Sequence, residues 1–576
     1  MKGTLRKSAL VAILCLVALA GVPAQVRIIV GQGTDPVILD PPMYSDTPTH
    51  NINLLIYDRL YDLTKEGKVV PSLAVDLPKI EENGTKYTIK IRNDVKFHNG
   101  AKLTIDDVIF SFNRGAFNDK SQMKSIFAMM YDMKKIDEYT FQFRTGKLDT
   151  GKAPAGTTDN TLKSFDARTP YFKPTAFGSQ LNQLTWLGAS IVSKSTLEKA
   201  ASDGSLKDYG ITWAVGSGPF KFESWSQGDS LTIARNKDYF DTTIKTNADK
   251  MTFKTIKDPS ALKTAFLNKE VDLIMNVVPL DARELEMMGA TILMTNGNFG
   301  YHYLGFNMKS PRVGQVNADG SPDLDGTYDL DSDSAKLRMA IVYAINPSDI
   351  VNSPDIMDKK GKVTLQWIET LPFGRITDPA GTRIVEGNER TGYYNPQKAK
   401  EYFAAVPAAL KQPGSLKLTA LSGSMFVKEA LVIKDQVKRT LGVDLISIEQ
   451  VALSELATRR GSADPKVWDM LVNWTQTDDS YYIFVAFDGD NTSLLHDTKF
   501  YTKGAQEWIE KGNSLPNGPD RNVAYQNAAK EVLKVMPRLP LVAIYGISAS
   551  QKNIDGVEIF PSGSFRLSDA TKGLKK

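Results

Sequence analysis

The chain has 576 residues, of which 24% are charged and 42% apolar, and its formal net charge is +4. That length exceeds one ordinary hydrophobic core and points to roughly three or four domain-sized units, while the composition excludes a disordered or fibrous chain. Residues 1–24 carry Lys2, Arg6 and Lys7 and no acid, which leaves 67 basic against 66 acidic residues in the remainder; no basic surface of the kind that displaces counterions from nucleic acid is expected.

The N-terminus has the form of a secretory signal. Lys2, Arg6 and Lys7 precede an apolar run from Ala9 to Ala20, with cleavage expected after Ala20 or Ala24. The run is too short for a good membrane span, and no later stretch approaches one. Cys15, the sole cysteine, lies inside this segment, and its bulky neighbour Leu14 argues against a lipid anchor. A mature chain without thiols has no disulfides and no cysteine catalysis, so its stability must come from core size. The expected compartment is the bacterial periplasm.

Val26–Val30 is a short β-branched strand, and Gly31 and Gly33 follow it. A dinucleotide fingerprint is set aside, because the third glycine is missing and Pro36, Pro41 and Pro42 forbid the helix that should follow. Residues 51–63 read as an amphipathic helix. Residues 85–91 alternate with period 2 after the Asn83-Gly84 turn. Thr104 with Asp107 three residues on is a capping box that starts a helix burying Val108, Phe110 or Phe112. His98 sits at a turn, and neither it nor His50, His302 or His496 has a second ligand at metal spacing. No cofactor is expected. Residues 147–161 read as an exposed loop, 261–268 as a short helix and 271–275 as a strand.

Within 317–333, Ser321, Asp323, Asp325, Gly326 and Asp329 partly mimic a calcium loop, but Ser332 stands where the twelfth-position acid belongs; a solvated loop is the default. Residues 335–345 read as a helix with Leu337, Ile341 and Ile345 on one face, ended by Asn346-Pro347. From Leu416 the chain reads strand, helix, strand, with Gly442 stopping a helix over 427–441 that turns Leu431 and Val432 inward. That is a βαβ unit with parallel pairing. Residues 505–511 and 523–535 read as helices and 539–545 as a buried strand.

The stretch from Val467 to Tyr482 is the first candidate for function. Trp468, Met470, Val472 and Trp474 alternate with Asp469, Leu471 and Asn473, and the strand then enters Thr475-Gln-Thr-Asp-Asp-Ser480, closed by Tyr481 and Tyr482. Rings next to hydroxyls and carboxylates suit a polar ligand. A core strand, an exposed acidic turn and two packing tyrosines would produce the same pattern. No Gly-x-Ser-x-Gly, His-Glu-x-x-His or Walker loop occurs, so an enzyme is not expected.

These pieces together resemble the family 5 extracellular solute-binding proteins, the oligopeptide and dipeptide receptors of ABC importers. The similarity runs through Gly67–Ala74, Tyr87–Gly100 and Leu103–Phe112, then Gly216–Phe220, Arg235–Phe240, Tyr303–Asn307, Leu337–Ile350 and Tyr394–Lys400, with Leu39–Pro41 and Arg538–Leu541 near the ends. The resemblance implies an α/β, two-lobed periplasmic-binding-protein fold, with an extra subdomain on the first lobe and two crossing strands between lobes. The implied organisation is a signal over 1–24, lobe I from 25–50, 186–300 and 492–576, the subdomain over 51–185, and lobe II over 301–491. The chain would cross near Tyr301–Asn307 and return near Asn491.

The same resemblance implies a monomeric receptor that closes by hinge motion on a small solute, most simply an oligopeptide, and presents it to a membrane permease. In peptide binders a Gly-Trp pair on the 467–482 strand gives backbone hydrogen bonds, and an aspartate three residues later pairs with the α-ammonium. Trp474 matches the tryptophan, Asn473 stands in the glycine position and Thr477 in the aspartate position; Asp478 and Asp479 follow at once. Amine capture therefore depends on the chain turning there. The implied ligand set is Asn473, Trp474, Thr475, Thr477, Asp478, Asp479 and Tyr482, with Thr34 from the first lobe. An oligosaccharide receptor built on Trp474, Tyr481, Tyr482 and Trp186 or Trp213 is the alternative. From other classes, a secreted hydrolase requires a shifted carboxylate in a cleft, and a chaperone-like protein requires loose binding without closure.

Overall fold

The computed structural model describes residues 25–573 apart from 45, 65–66, 159–160, 296–299, 316–325, 327, 369–372, 379, 381, 463, 478, 490–495 and 561–563. The expected signal segment, Asp478, Asn491 and most of the calcium-like loop thus lie outside the described residues.

Three sheets organise the chain. The first joins Thr291–Met294, Ile547–Ser550, Leu273–Ile274, Arg27–Gln32, Lys250–Thr255, Ser230–Arg235 and Phe220–Ser226 in that order. Arg27–Gln32 runs parallel to both of its neighbours, so both its faces are covered and Val30 is fully buried. The second sheet is antiparallel, running Lys79–Glu81, Lys86–Lys90, Thr140–Leu148, Met130–Asp137, with Phe172–Pro174 also on Thr140–Leu148. Ile105–Phe117 covers it. That helix starts where Thr104 N donates to Asp107 Oδ2 at 2.9 Å, and it buries Val108 and Phe112. The core of this subdomain runs from Leu60 to Ile191, while Ile52, Leu55 and Ile56 of Thr47–Ile56 pack into the first-lobe core. The boundary expected at residue 51 therefore falls after that helix, because its apolar side meets Val30 and Phe220.

The third sheet has the order Gly361–Val363, Arg538–Ile544, Gly300–Phe306, Met470–Gln476, Leu416–Leu421, Ile446–Val451. Its last three strands are parallel, and Met425–Leu441 makes the crossover, with Ser424 capping its start and Gly442 at φ +78° ending it. The helix turns Phe426, Ala430, Ile433, Val437 and Leu441 to the sheet, at a helical repeat that leaves Leu431 55% exposed, contrary to the sequence reading.

The helices Lys503–Ser514 and Pro519–Val535 pack against this third sheet, and Arg538–Ile544 pairs with Gly300–Phe306. The chain thus stays in the second lobe beyond the return expected near Asn491 and crosses back only between Ile544 and Ile547. The expected boundary failed because Leu539, Leu541 and Val542 complete the second-lobe core. The two crossings are tied together: Thr295 N donates to Gly546 O at 3.1 Å, and Gly546 N to Thr295 Oγ1 at 3.0 Å. Among the described residues no helix is long and apolar enough to cross a membrane.

Candidate functional site

A cleft of about 1110 Å³ lies between the lobes. The first lobe contributes the start of Thr47–Ile56, the turn after it and the C-terminal segment around Arg566; the subdomain contributes Arg92 and Trp186; the second lobe contributes Thr475, Gln476, Thr477 and Tyr482. These last four come from the end of Met470–Gln476 and from Ser480–Val485, where a strand stops and a helix begins.

Three of the candidate residues, Thr475, Thr477 and Tyr482, therefore meet in the cleft wall. The others do not. Asn473 is buried under the sheet, where its amide donates to Tyr303 OH at 3.2 Å and to Asp497 Oδ2 at 3.4 Å. Asp497 there also accepts from Arg538 at 2.6 Å, so Asn473 completes an ionic core network. Trp474 points to the opposite face, outside the cleft wall; it is 43% exposed and stacks on Phe426 at 5.6 Å. The alternation of a strand forces this split, since Asn473 and Trp474 cannot share a face. Asp479 is buried and caps Ser480–Val485, accepting from Tyr481 N at 3.0 Å. Its Oδ1 is engaged by this cap and lies 3.8 Å from Arg521, and Asp479 does not line the cleft. Thr34 is exposed and also outside the wall.

Tyr482 touches the other side of the cleft. Its ring stacks on Trp186 at 5.1 Å, and its hydroxyl accepts from Gln183 Nε2 at 3.0 Å. Beside it, Tyr481 meets Phe177 edge-on at 5.1 Å. Arg521, from Pro519–Val535, donates to Ser179 Oγ at 2.5 Å, and Gly178 N reaches Asn513 O at 3.4 Å. Gly178 is required by this approach, because a Cβ there would lie 2.2 Å from Leu515 O. Residues 177–186 of the subdomain and the 479–525 region of the second lobe thus form one contact line along the cleft.

The first-lobe wall carries charges that the sequence reading passed over. Asp58 is buried, and its carboxylate accepts from Ser217 Oγ at 2.8 Å and Tyr239 OH at 2.9 Å. Burial raises it to about 6 despite those two hydrogen bonds and the nearby Arg59. Asp62 lies 3.0 Å from Arg59 and 2.6 Å from Arg566. Burial would raise Asp62, but the two guanidiniums bring it below the ordinary carboxylate range. His50 is lowered to about 4 by burial and by Arg59. The available signal was Tyr57-Asp-Arg-Leu-Tyr61, two charges inside an apolar run, which reads as a buried pair.

His98 is held by Gly216 N and Gly218 O at 3.2 and 3.0 Å, as a turn residue should be, and burial lowers it to about 4. Among the described residues no group of three or more His, Cys, Asp or Glu could hold a metal ion.

The family model for bacterial extracellular solute-binding proteins, family 5, middle region, matches residues 68–493. The oligopeptide-binding protein AppA of Bacillus subtilis is 23% identical over 562 residues, which covers 94% of this chain and 91% of AppA. The glutathione-binding protein GsiB of Escherichia coli is 22% identical, with 94% of each chain covered. Among solved structures, the ABC transporter substrate-binding protein CtaP from Listeria monocytogenes matches with a TM-score of 0.73 at 20% identity, over 95% of this chain and 99% of CtaP. With the match spanning the subdomain and most of the second lobe, the chain belongs to the bacterial extracellular solute-binding proteins of family 5.

Proposed function

We propose that this protein is the receptor of an ABC importer, that it captures a peptide in the cleft between its lobes, and that hinge closure presents the loaded form to a membrane permease. The observation that carries this reading is the cleft, walled by both lobes, with the chain, among the described residues, passing from one to the other near Thr295 and Gly546. Lobes so connected can separate at little covalent cost. Closure removes water, so a modest number of hydrogen bonds and ring contacts can reach micromolar affinity, about −8 kcal/mol. The volume of about 1110 Å³ stands above the roughly 300–1,000 Å³ usual for drug-sized ligands, which favours an oligopeptide over a single amino acid. Relatives named for oligopeptide and glutathione binding support the same class.

The sugar alternative loses its main ring, because Trp474 faces away from the wall, and Trp186 and Tyr482 are stacked on each other. A hydrolase would use a carboxyl with a raised pKa, and Asp58 is one; its oxygens are already taken by Ser217 and Tyr239, which makes it a brace between two first-lobe segments. Secretion through residues 1–24, a periplasmic location and a monomeric state belong to the same proposal. Calorimetry with random tetrapeptides against oligosaccharides tests it: saturable one-to-one peptide binding is expected, and binding of sugars alone would overturn the peptide assignment.

A further inference from the structure

Resting on the peptide reading, we propose that the cleft is built to take a ligand carboxylate on Arg59. The carboxylates among the described residues of the wall already have partners. Asp46 accepts from Thr49 N and Oγ1, both at 2.8 Å. Asp241 accepts from Thr243 N at 2.9 Å and Oγ1 at 2.6 Å, and Asp569 from Lys245 N at 2.8 Å. Asp58 and Asp62 are held as described above. A ligand ammonium would meet carboxylates that each already hold at least one donor.

The cations are less evenly served. Arg92 is held by Asp94 through two bonds, at 3.0 and 2.6 Å, and Arg566 by Asp62. Among the described residues, Arg59 pairs with the Asp62 carboxylate, which Arg566 also uses. Its side chain is 6% exposed, it lines the cleft, and its Nε and Nη1 are buried without a hydrogen-bond partner. Buried donors left unpaired are costly, and those of a guanidinium more than most. Its remaining titratable neighbours do not supply the missing acceptor: Asp58 is occupied, and His50 Nδ1 is bonded to Tyr44 OH at 3.0 Å. An incoming carboxylate would supply that acceptor, in a charge-assisted pairing of the kind that arginine favours. The carboxylate could be the peptide C-terminus or an acidic side chain.

Three random tetrapeptide pools separate these sources by calorimetry: free C-termini, amidated C-termini, and amidated C-termini without Asp or Glu. On the wild-type protein, the pool with no carboxylate is expected to bind at least ten-fold more weakly than the free-acid pool, and the middle pool shows which carboxylate matters. Arg59→Gln should shrink the difference to less than two-fold, and Arg59→Lys should restore part of it. Equal binding of all three pools by wild-type protein overturns the Arg59 assignment and leaves the peptide reading standing. No binding of any pool overturns both. If circular dichroism shows that Arg59→Gln does not fold, Arg59→Lys carries the test: a reduced difference between the pools is expected, and a difference equal to that of wild type overturns the Arg59 assignment.

Discussion

Tyr482 is where the second lobe touches the subdomain across the cleft, and its replacement tests whether that contact helps hold the lobes together. Tyr482→Phe removes the bond from Gln183 Nε2, 3.0 Å long, a loss of about 0.5–1.5 kcal/mol. Tyr482→Ala also removes the stack on Trp186 at 5.1 Å, which adds about 0.5–1.5 kcal/mol. The alanine variant should then shift the ratio of touching to separated lobes by roughly 1–3 kcal/mol, a factor of about 5–150. No cysteine follows Cys15, so labels at Ser224→Cys on the first lobe and Lys438→Cys on the second, both exposed, report the interlobe distance by spin–spin measurement. The distance distribution should broaden to longer values in Tyr482→Ala and less so in Tyr482→Phe. Ligand affinity should fall by the fraction of closed protein lost. An unchanged distribution together with unchanged affinity would refute the idea that this contact takes part in closure.

Further predictions concern the residues around the cleft. Asn473→Ala should destabilise the second lobe by about 1–3 kcal/mol, because it unpairs part of a buried network, while leaving affinity within two-fold; urea unfolding and calorimetry read the two separately. Trp474→Ala should also leave affinity within two-fold, since its ring stacks on Phe426 outside the wall; a ten-fold loss would place the ring in the binding path. Asp58 has its folded pKa raised to about 6 from 3.8. The stability it contributes is therefore present at low pH and is lost as pH rises through 6. Asp58→Asn, which cannot ionise, should gain on wild type by on the order of 2–3 kcal/mol between pH 4 and pH 7, as thermal melts across that range would show; a constant difference would contradict a buried, protonatable Asp58.

Much of the fold was legible because its elements announce themselves locally. Thr104 with Asp107 started a helix, Gly442 ended one, and the 416–451 stretch formed the parallel unit its pattern required. What was not legible depended on contacts distant in sequence. Nothing local in 503–535 says which lobe it packs on; that is fixed by Arg538–Ile544 pairing with Gly300–Phe306, more than two hundred residues away. Leu431 looked as apolar as Ile433, yet only the latter faces the sheet. The 467–482 stretch did reach the cleft, through Thr475, Thr477 and Tyr482. Trp474, its most conspicuous residue, did not, because its ring stacks on Phe426 of the crossover helix, a contact that nothing in the stretch itself announces. Arg59 and Asp62 were missed for a related reason: a charged pair in an apolar run signals burial, and only the assembled lobes show that the burial is against a cleft.

The central claim, that a peptide is held between the lobes, is tested most directly by native mass spectrometry of the protein purified from its own cells, with the departing molecules identified after denaturation. The account predicts one-to-one complexes whose added masses are those of short peptides and disappear from the cleft on unfolding. Added masses spaced by hexose units, with no peptide among them, would contradict it.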